Sequence, residues 1–163
     1  RQQQFLDVID RDEAERRFRA ALDLRPLHPE TVRLADAWGR VLAADVAAPL
    51  DVPGFDRSNV DGFAVQSADT FGASEDRPHR LRLNDESVAP GDVPRLAVKA
   101  GTATPIATGG VLPRGADAVV MIEHTDVIAD AAILLRRPVA PGANVTWAGT
   151  DIGRGEMVLR RGQ

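Results

Sequence analysis

The stretch Pro53-Gly54-Phe55-Asp56-Arg57-Ser58-Asn59-Val60-Asp61-Gly62-Phe63-Ala64-Val65 decides the interpretation of this chain. It opens with turn-forming residues, packs four short oxygen-bearing side chains into six residues, and continues into an apolar segment that predicts a strand. A polar loop fixed between a proline and a strand holds carboxylates in place, as sites for hard cations or for positioned hydroxyl groups require. The residues alone leave an alternative open: Asp56 and Ser58 bond to their own backbone, and Asp61-Gly62 forms a hairpin turn.

Composition describes an ordinary globular protein with one domain or two small ones. The 163 residues are 44% hydrophobic and 27% charged, and none is cysteine, which excludes disulfides and thiolate metal sites. The absence of cysteine is compatible with the cytoplasm, where we expect the protein. The net charge is −4 with scattered basic residues, and no apolar run is long enough to span a bilayer. We therefore expect neither a nucleic-acid nor a membrane partner.

Both ends of the sequence look internal to a longer chain. It begins at Arg1 rather than methionine and stops at Gln163, just after an expected strand. We expect a piece of a longer protein.

Local patterns predict an amino-terminal helix and a β-rich remainder. Residues 10–22 have helical apolar spacing, with Asp10 as the cap and Glu13 completing a capping box. A short strand around 32–34, a helical turn at 34–39 and burial of Trp38 and of 41–46 are also expected. The predicted strands that follow are 62–66, 80–84, 102–107, 117–123, 126–129 and 132–136.

The fold class predicted from this order is α+β, mainly β. Short strands separated by turn residues favour a small barrel or sandwich over residues 50–137. After residue 137 the residue pattern changes to glycine-containing turns, and strands in this segment are expected to pair with the amino-terminal segment. We therefore assign 1–49 with 138–163 to one discontinuous domain and 50–137 to an inserted β-barrel-like domain.

Three other stretches carry residues of the kinds that bind anions or metals, and each has to be weighed against a structural role. In Thr108-Gly109-Gly110, successive glycines let backbone N–H groups turn toward an anion; the alternative is a tight turn. Asp151 lies in a glycine-flanked loop and is either a ligand, a brace or a turn residue. Residues 123–126 do not form a metal site if they lie on a strand, because alternation sends Glu123 and His124 to opposite faces.

Taken together, three stretches resemble the molybdopterin molybdenumtransferase family, known as MoeA in bacteria and as the carboxy-terminal domain of gephyrin in animals. Weaker similarity continues upstream through 37–46, so the resemblance covers nearly the whole chain. The three stretches are Asp51-Val-Pro-Gly-Phe-Asp-Arg-Ser-Asn-Val-Asp61-Gly-Phe-Ala-Val, Ile106-Ala-Thr108-Gly-Gly-Val-Leu-Pro-Arg-Gly-Ala-Asp117-Ala-Val-Val-Met-Ile-Glu123 and Gly142-Ala-Asn-Val-Thr-Trp-Ala-Gly-Thr-Asp151-Ile-Gly-Arg-Gly-Glu156.

The resemblance implies a reaction, substrates and partners. Molybdate and adenylated molybdopterin react with Mg²⁺ present, molybdenum enters the pterin, and AMP is released. The family forms elongated homodimers whose active cleft lies between the inserted β-domain of one subunit and a pterin-binding domain of the other. Molybdopterin adenylyltransferase is the upstream partner.

The resemblance also implies functional residues by motif position. Asp61, Thr108 and Asp151 match the family's functional positions, with Asp61 holding Mg²⁺ or orienting a phosphate, Thr108 meeting an oxyanion and Asp151 supporting the cleft. The expected substrate- or anion-binding residues beside them are Ser58, Gly62, Gly109 and Gly110.

The sequence departs from the family pattern, and two expected domains, the pterin-binding domain and a carboxy-terminal β-domain, are missing. The family motif usually reads Ser-Ala-Met-Asp-Gly-Tyr, whereas here it is Ser58-Asn59-Val60-Asp61-Gly62-Phe63, which lacks the tyrosine hydroxyl; Pro105 stands where a basic residue is common. Because the pterin-binding domain should follow residue 163, the chain alone is expected to be inactive. The alternative is a non-catalytic dimerisation or scaffold module of the same fold; a generic anion-binding barrel would require the motif match to be accidental.

Overall fold

The computed structural model describes residues 9–129 and 131–163. The chain divides into two compact units, Arg1–Ala43 and Ala44–Gln163. No helix in the described ranges is long and apolar enough to cross a membrane.

Among residues 9–43, the amino-terminal unit forms the helix α1 (Arg11–Ala20), as the sequence pattern predicts. Asp10 caps it, since a carboxylate oxygen of Asp10 accepts the Glu13 backbone N–H at 2.8 Å. The other half of the expected capping box does not form. The Glu13 carboxylate instead accepts hydrogen bonds from Arg16 and Arg17, one helical turn onward, where such pairs are neighbours on the helix surface.

Three expectations for the same unit are wrong. Residues 32–33 form no strand, and only a short 3-10 turn, Leu34–Asp36, follows. Trp38 and Val41 are exposed, at 97% and 72%, rather than buried. Among residues 9–43 none is buried, because one short helix and one turn give apolar side chains little to pack against.

The described residues of the carboxy-terminal unit form ten strands. Six of them reproduce the predicted strands to within one residue at the start and one or two at the end. In chain order they are β1 (Val46–Ala47), β2 (Arg57–Ser58), β3 (Gly62–Val65), β4 (His79–Leu83), β5 (Thr102–Ile106), β6 (Ala118–Met121), β7 (Thr125–Ile128), β8 (Ala132–Leu135), β9 (Val145–Thr146) and β10 (Met157–Leu159).

Six strands form one curled sheet with the order β6-β3-β5-β4-β8-β7. All neighbours are antiparallel except β4 and β5, which are parallel. The two edge strands, β6 and β7, are joined by a single 3-10 turn, Ile122–His124. Since four residue steps span at most about 14 Å, this link holds the two edges near each other and bends the sheet into a half-barrel. The mostly-β fold class is therefore confirmed.

The central strands are buried on both faces. Alternation along β3 sends Phe63 and Val65 into one apolar cluster with Leu81, Ile133 and others, while Ala64 enters a second cluster. The second cluster also takes Val88 and Val98 from the long connection between β4 and β5. That connection therefore covers the outer face of the sheet.

Two small sheets complete this unit. β1 pairs antiparallel with β10, and β2 pairs antiparallel with β9. The pairing of the last strand with a strand inside 1–49 is as expected. The division into domains 1–49 with 138–163 and 50–137 stays a prediction.

Candidate functional site

The first two motif stretches lie side by side. The Ser58 N–H donates to the Gly110 carbonyl oxygen at 3.0 Å, and the Gly109 N–H donates back to the Ser58 carbonyl oxygen at 2.8 Å. The Leu112 N–H donates to the Asp56 carbonyl oxygen at 2.9 Å. The polar loop before β3 is therefore fixed along the glycine turn that follows β5.

The third motif stretch lies against the first. Val52 and Ile152 form an antiparallel bridge, and β2 pairs with β9. Two side chains strengthen the contact: Asp56 accepts the Ala148 N–H at 2.8 Å, and Asn59 accepts the Thr146 hydroxyl at 2.6 Å. Stretches separated by up to about a hundred residues of sequence thus meet at the loop that begins at Asp51.

Asp61 and Thr108 are in direct contact. One Asp61 carboxylate oxygen accepts both the Thr108 backbone N–H, at 2.7 Å, and the Thr108 hydroxyl, at 2.8 Å. The pKa of Asp61 lies below its ordinary value of 3.8, chiefly because of the Thr108 N–H and secondarily because of its hydroxyl. Asp61 is therefore an exposed carboxylate, ionised at neutral pH and held in one orientation.

The N–H groups of the glycine turn have protein acceptors. Thr108 donates to Asp61, Gly109 to Ser58, and Gly110 to the Ala107 carbonyl oxygen at 2.9 Å. Anion binding by Gly109 and Gly110 stays a prediction. The positive φ of Gly109, +82°, explains why glycine is needed there.

Gly62 and Ser58 are both buried and packed against the protein's own backbone. A Cβ atom at Gly62 would lie 2.9 Å from the Val120 carbonyl carbon and closer still to its oxygen, because β3 and β6 approach tightly there. Ser58 is buried, and its hydroxyl donates to the Val60 carbonyl oxygen at 2.6 Å. The local-turn alternative is correct for Ser58 but wrong for Asp56, whose side chain accepts the Ala148 N–H. The assignment of Ser58 and Gly62 to substrate binding stays a prediction.

Asp151 lies in a loop that the backbone anchors. Its N–H donates to the Val52 carbonyl oxygen at 2.9 Å, and its side chain is exposed. A neighbour that we did not select from the sequence, Asp51, holds the same loop by accepting the Arg154 N–H at 2.7 Å. No hydrogen bond among the described residues joins the side chain of Asp151 to Asp61 or Thr108.

The segment after β6 differs from the expectation. Residues 122–124 are a 3-10 turn rather than part of a strand, and the Ile122 N–H donates to the Asp61 carbonyl oxygen at 3.1 Å. The argument from strand alternation for Glu123 and His124 was therefore wrong in its premise. Within residues 9–129 and 131–163, no three histidine or acidic side chains are grouped as metal ligands.

Asn144 is a site-supporting residue that sequence reasoning missed. Its backbone is left-handed, with φ +59°, and its side-chain amide donates to the Val119 carbonyl oxygen at 2.8 Å. Its own carbonyl oxygen accepts the Asn59 N–H at 2.9 Å. The Asn within Gly-Ala-Asn-Val was the available signal, since asparagine tolerates this conformation.

Comparison with known proteins gives consistent matches. A family model described as the MoeA N-terminal region (domain I and II) matches residues 9–163. Molybdopterin molybdenumtransferase 2 of Mycobacterium tuberculosis is 39% identical over 140 residues, which are 86% of this chain and 34% of that protein. Molybdopterin molybdenumtransferase of Synechococcus elongatus is 39% identical over 139 residues, 85% of this chain and 34% of that protein.

A solved structure agrees with the family model and with the two relatives. The molybdopterin biosynthesis MoeA protein from Pyrococcus horikoshii OT3 matches with a TM-score of 0.73 and 43% identity, over 81% of this chain and 34% of that one. The chain thus spans about a third of the length of these relatives. Because the family model matches residues 9–163 of the 163-residue chain, the chain belongs to the MoeA N-terminal region (domain I and II) family.

Proposed function

We propose that this chain is the amino-terminal part of an enzyme of molybdenum cofactor biosynthesis that inserts molybdenum from molybdate into adenylated molybdopterin and releases AMP. The observation that carries the proposal is the oriented Asp61 carboxylate on Thr108, at the place where the three motif stretches meet. The names of the relatives support the same class of reaction. The pterin-binding part would belong to the two thirds of the relatives that the chain does not match.

Asp61 is the residue that acts on the substrate. One carboxylate oxygen takes both Thr108 donors, and the other has no protein hydrogen-bond donor within the described ranges. That second oxygen is available to a cation or to a substrate hydroxyl. Because the hydroxyl and the N–H of Thr108 both donate to Asp61, Thr108 serves to orient the carboxylate, and it would have to turn away to meet an oxyanion.

The donor set fits Mg²⁺ only as a shared site. Mg²⁺ is commonly bound by one or two carboxylates together with waters and substrate phosphates, and one open oxygen of Asp61 meets that requirement. The ion would supply positive charge against the phosphate and molybdate oxygens. The chain itself holds the carboxylate ionised and fixed through Thr108.

The remaining assignments complete the proposal. Asp151 would support the cleft from a loop that Val52 and Asp51 anchor. Assembly as a homodimer, delivery of substrate by molybdopterin adenylyltransferase and a cytoplasmic location belong to the same proposal.

The substitution Asp61→Asn, made in the full-length protein, tests the role of Asp61. The amide oxygen can still accept both Thr108 donors, so the loop stays in place while the charge is lost. We expect AMP release from adenylated molybdopterin to fall about 100-fold or more. The melting temperature should change by about 3 °C or less, since the side chain is exposed.

The matched control is Asp76→Asn, which removes one exposed carboxylate from a loop outside the site. It should leave AMP release unchanged. Normal turnover in Asp61→Asn would contradict the catalytic assignment. No AMP release even from the unsubstituted protein, with the oligomer intact, would favour the scaffold alternative.

A further inference from the structure

A groove of about 420 Å³ lies where the end of β4 meets the start of β5. Segment 95–99 of the long connection forms its other wall. Three cationic side chains line it, Arg82, Arg95 and Lys99, against a single acidic one, Asp85. This local excess of positive charge contrasts with the net charge of −4 of the whole chain.

Hydrogen bonds hold the backbone of both walls in place. On the β4 side, the Arg82 N–H donates to the Gly101 carbonyl oxygen at 3.0 Å. On the other side, the Leu96 N–H donates to the Glu86 carboxylate at 2.8 Å, and Lys99 and Thr102 exchange two bonds of 2.8 Å. The cationic side chains therefore extend from fixed points rather than from a loose loop.

The fold makes little use of two of these cations. Within the described ranges, Arg82 and Lys99 form no ion pair. The third cation, Arg95, has an 86% exposed side chain but lies 3.5 Å from the Glu86 carboxylate, which is only 8% exposed. The charges of Arg82 and Lys99 are thus available to a ligand, and Arg95 adds a charge that it shares with Glu86.

The groove is separate from the site at Asp61. Thr102 lines the groove at one end of β5, and Ile106 ends the strand about 13 Å away, at 3.3 Å per residue. Thr108 lies beyond that second end. A ligand in the groove would therefore not compete directly for Asp61.

We propose that this groove binds a small phosphate-bearing molecule. Arginine presents a planar donor fork that matches phosphate oxygens, and lysine adds a mobile point charge. The volume falls within the range of small-molecule sites and exceeds what one phosphate group fills. Leu83 and Leu96 in the lining offer apolar contact to the organic part of a phosphate ester.

The test is an NMR titration of the chain with two probes, inorganic pyrophosphate and ADP, in about 150 mM NaCl to screen non-specific attraction. We expect saturable shifts of amide signals centred on Arg82, Leu96 and Lys99. Tighter binding of ADP would identify a phosphate ester as the ligand class, and equal binding would identify the phosphate groups alone as the feature recognised.

The double substitution Arg82→Gln/Lys99→Gln should weaken binding about tenfold or more, which corresponds to about 1.4 kcal/mol. The charge-matched control Arg77→Gln/Arg160→Gln, at two exposed arginines outside the groove, should leave it unchanged. If the double variant does not fold, Arg95→Gln replaces it, because that side chain is almost fully exposed. Linear shifts without saturation, shifts centred elsewhere, or an equal loss in the control would overturn the proposal.

Discussion

The substitution Gly62→Ala tests the packing of β3 against β6 most directly. The added Cβ would lie 2.9 Å from the Val120 carbonyl carbon and 3.2 Å from the Met121 Cα, both backbone atoms of a buried strand. No side-chain rotation can relieve contacts with backbone, so the two strands must move apart. The four residue pairs from Gly62–Met121 to Val65–Ala118 would be disturbed together.

The cost can be estimated from two contributions. Overpacking of a core costs about 1–3 kcal/mol, and each weakened ladder hydrogen bond adds about 1 kcal/mol. We expect a loss of about 3–4 kcal/mol in the free energy of unfolding and, at this chain length, a fall in melting temperature of about 10 °C. Calorimetry or urea unfolding measures the loss, and hydrogen exchange at β3 and β6 locates it.

Gly54→Ala is the matched control. A Cβ at Gly54 would meet only the Asp51 carbonyl oxygen at 3.8 Å, which is ordinary contact, and its φ is not positive. It should not destabilise the chain, and the reduced freedom of the unfolded state favours slight stabilisation. A melting temperature for Gly62→Ala within about 2 °C of the unsubstituted chain, or an equal loss in both variants, would refute the packing argument.

Three further predictions concern side chains around the site and the covering connection. Thr108→Val removes the hydroxyl but keeps the N–H that contributes most, so the pKa of Asp61 should rise only part of the way to 3.8, as a carboxyl-carbon NMR titration can measure; a return to 3.8 would contradict it. Asn144→Ala should lose about 2 kcal/mol, because it combines a left-handed backbone with the lost bond to Val119, whereas Asn144→Gly should lose about 1 kcal/mol in urea unfolding; equal losses would show that backbone strain is absent. The pKa of Glu86 is lowered chiefly by two backbone N–H groups, so these bonds are complete above pH 4.5 and weaken as pH falls through the lowered pKa. The amide proton signals of Arg95 and Leu96 should shift together as the pH falls through the pKa of Glu86, and they should not shift in this way in Glu86→Gln.

The sequence predicted the large sheet well because each strand carries its own signal. Runs such as 118–121 and 132–135 are apolar and short, and they form strands in the structure. The short strands β1, β2 and β9 were missed, and β10 was expected only as an unbounded strand near the end of the sequence. Two or three residues carry no measurable periodicity, and they are extended only because a distant segment pairs with them.

The errors have a common physical origin. Burial of Trp38 and Val41 was inferred from their apolar character, but burial requires a neighbouring surface, and their unit provides none among its described residues. The sequence predicts a strand at 122–123 because Ile122 continues an apolar run, whereas residues 122–124 form a 3-10 turn. Its shape follows from the need to connect the two edges of a curled sheet, which only the sheet order reveals.

The family, the mostly-β class and the candidate residues follow from local signals, because motifs and strand patterns lie in consecutive residues. The contacts among those residues depend on how the chain folds. Asp61 and Thr108 are 47 residues apart, and their contact exists only because β3 and β5 are neighbours in the sheet. In the same way, Gly62 serves close strand packing because of Val120, which no inspection of its own stretch could reveal.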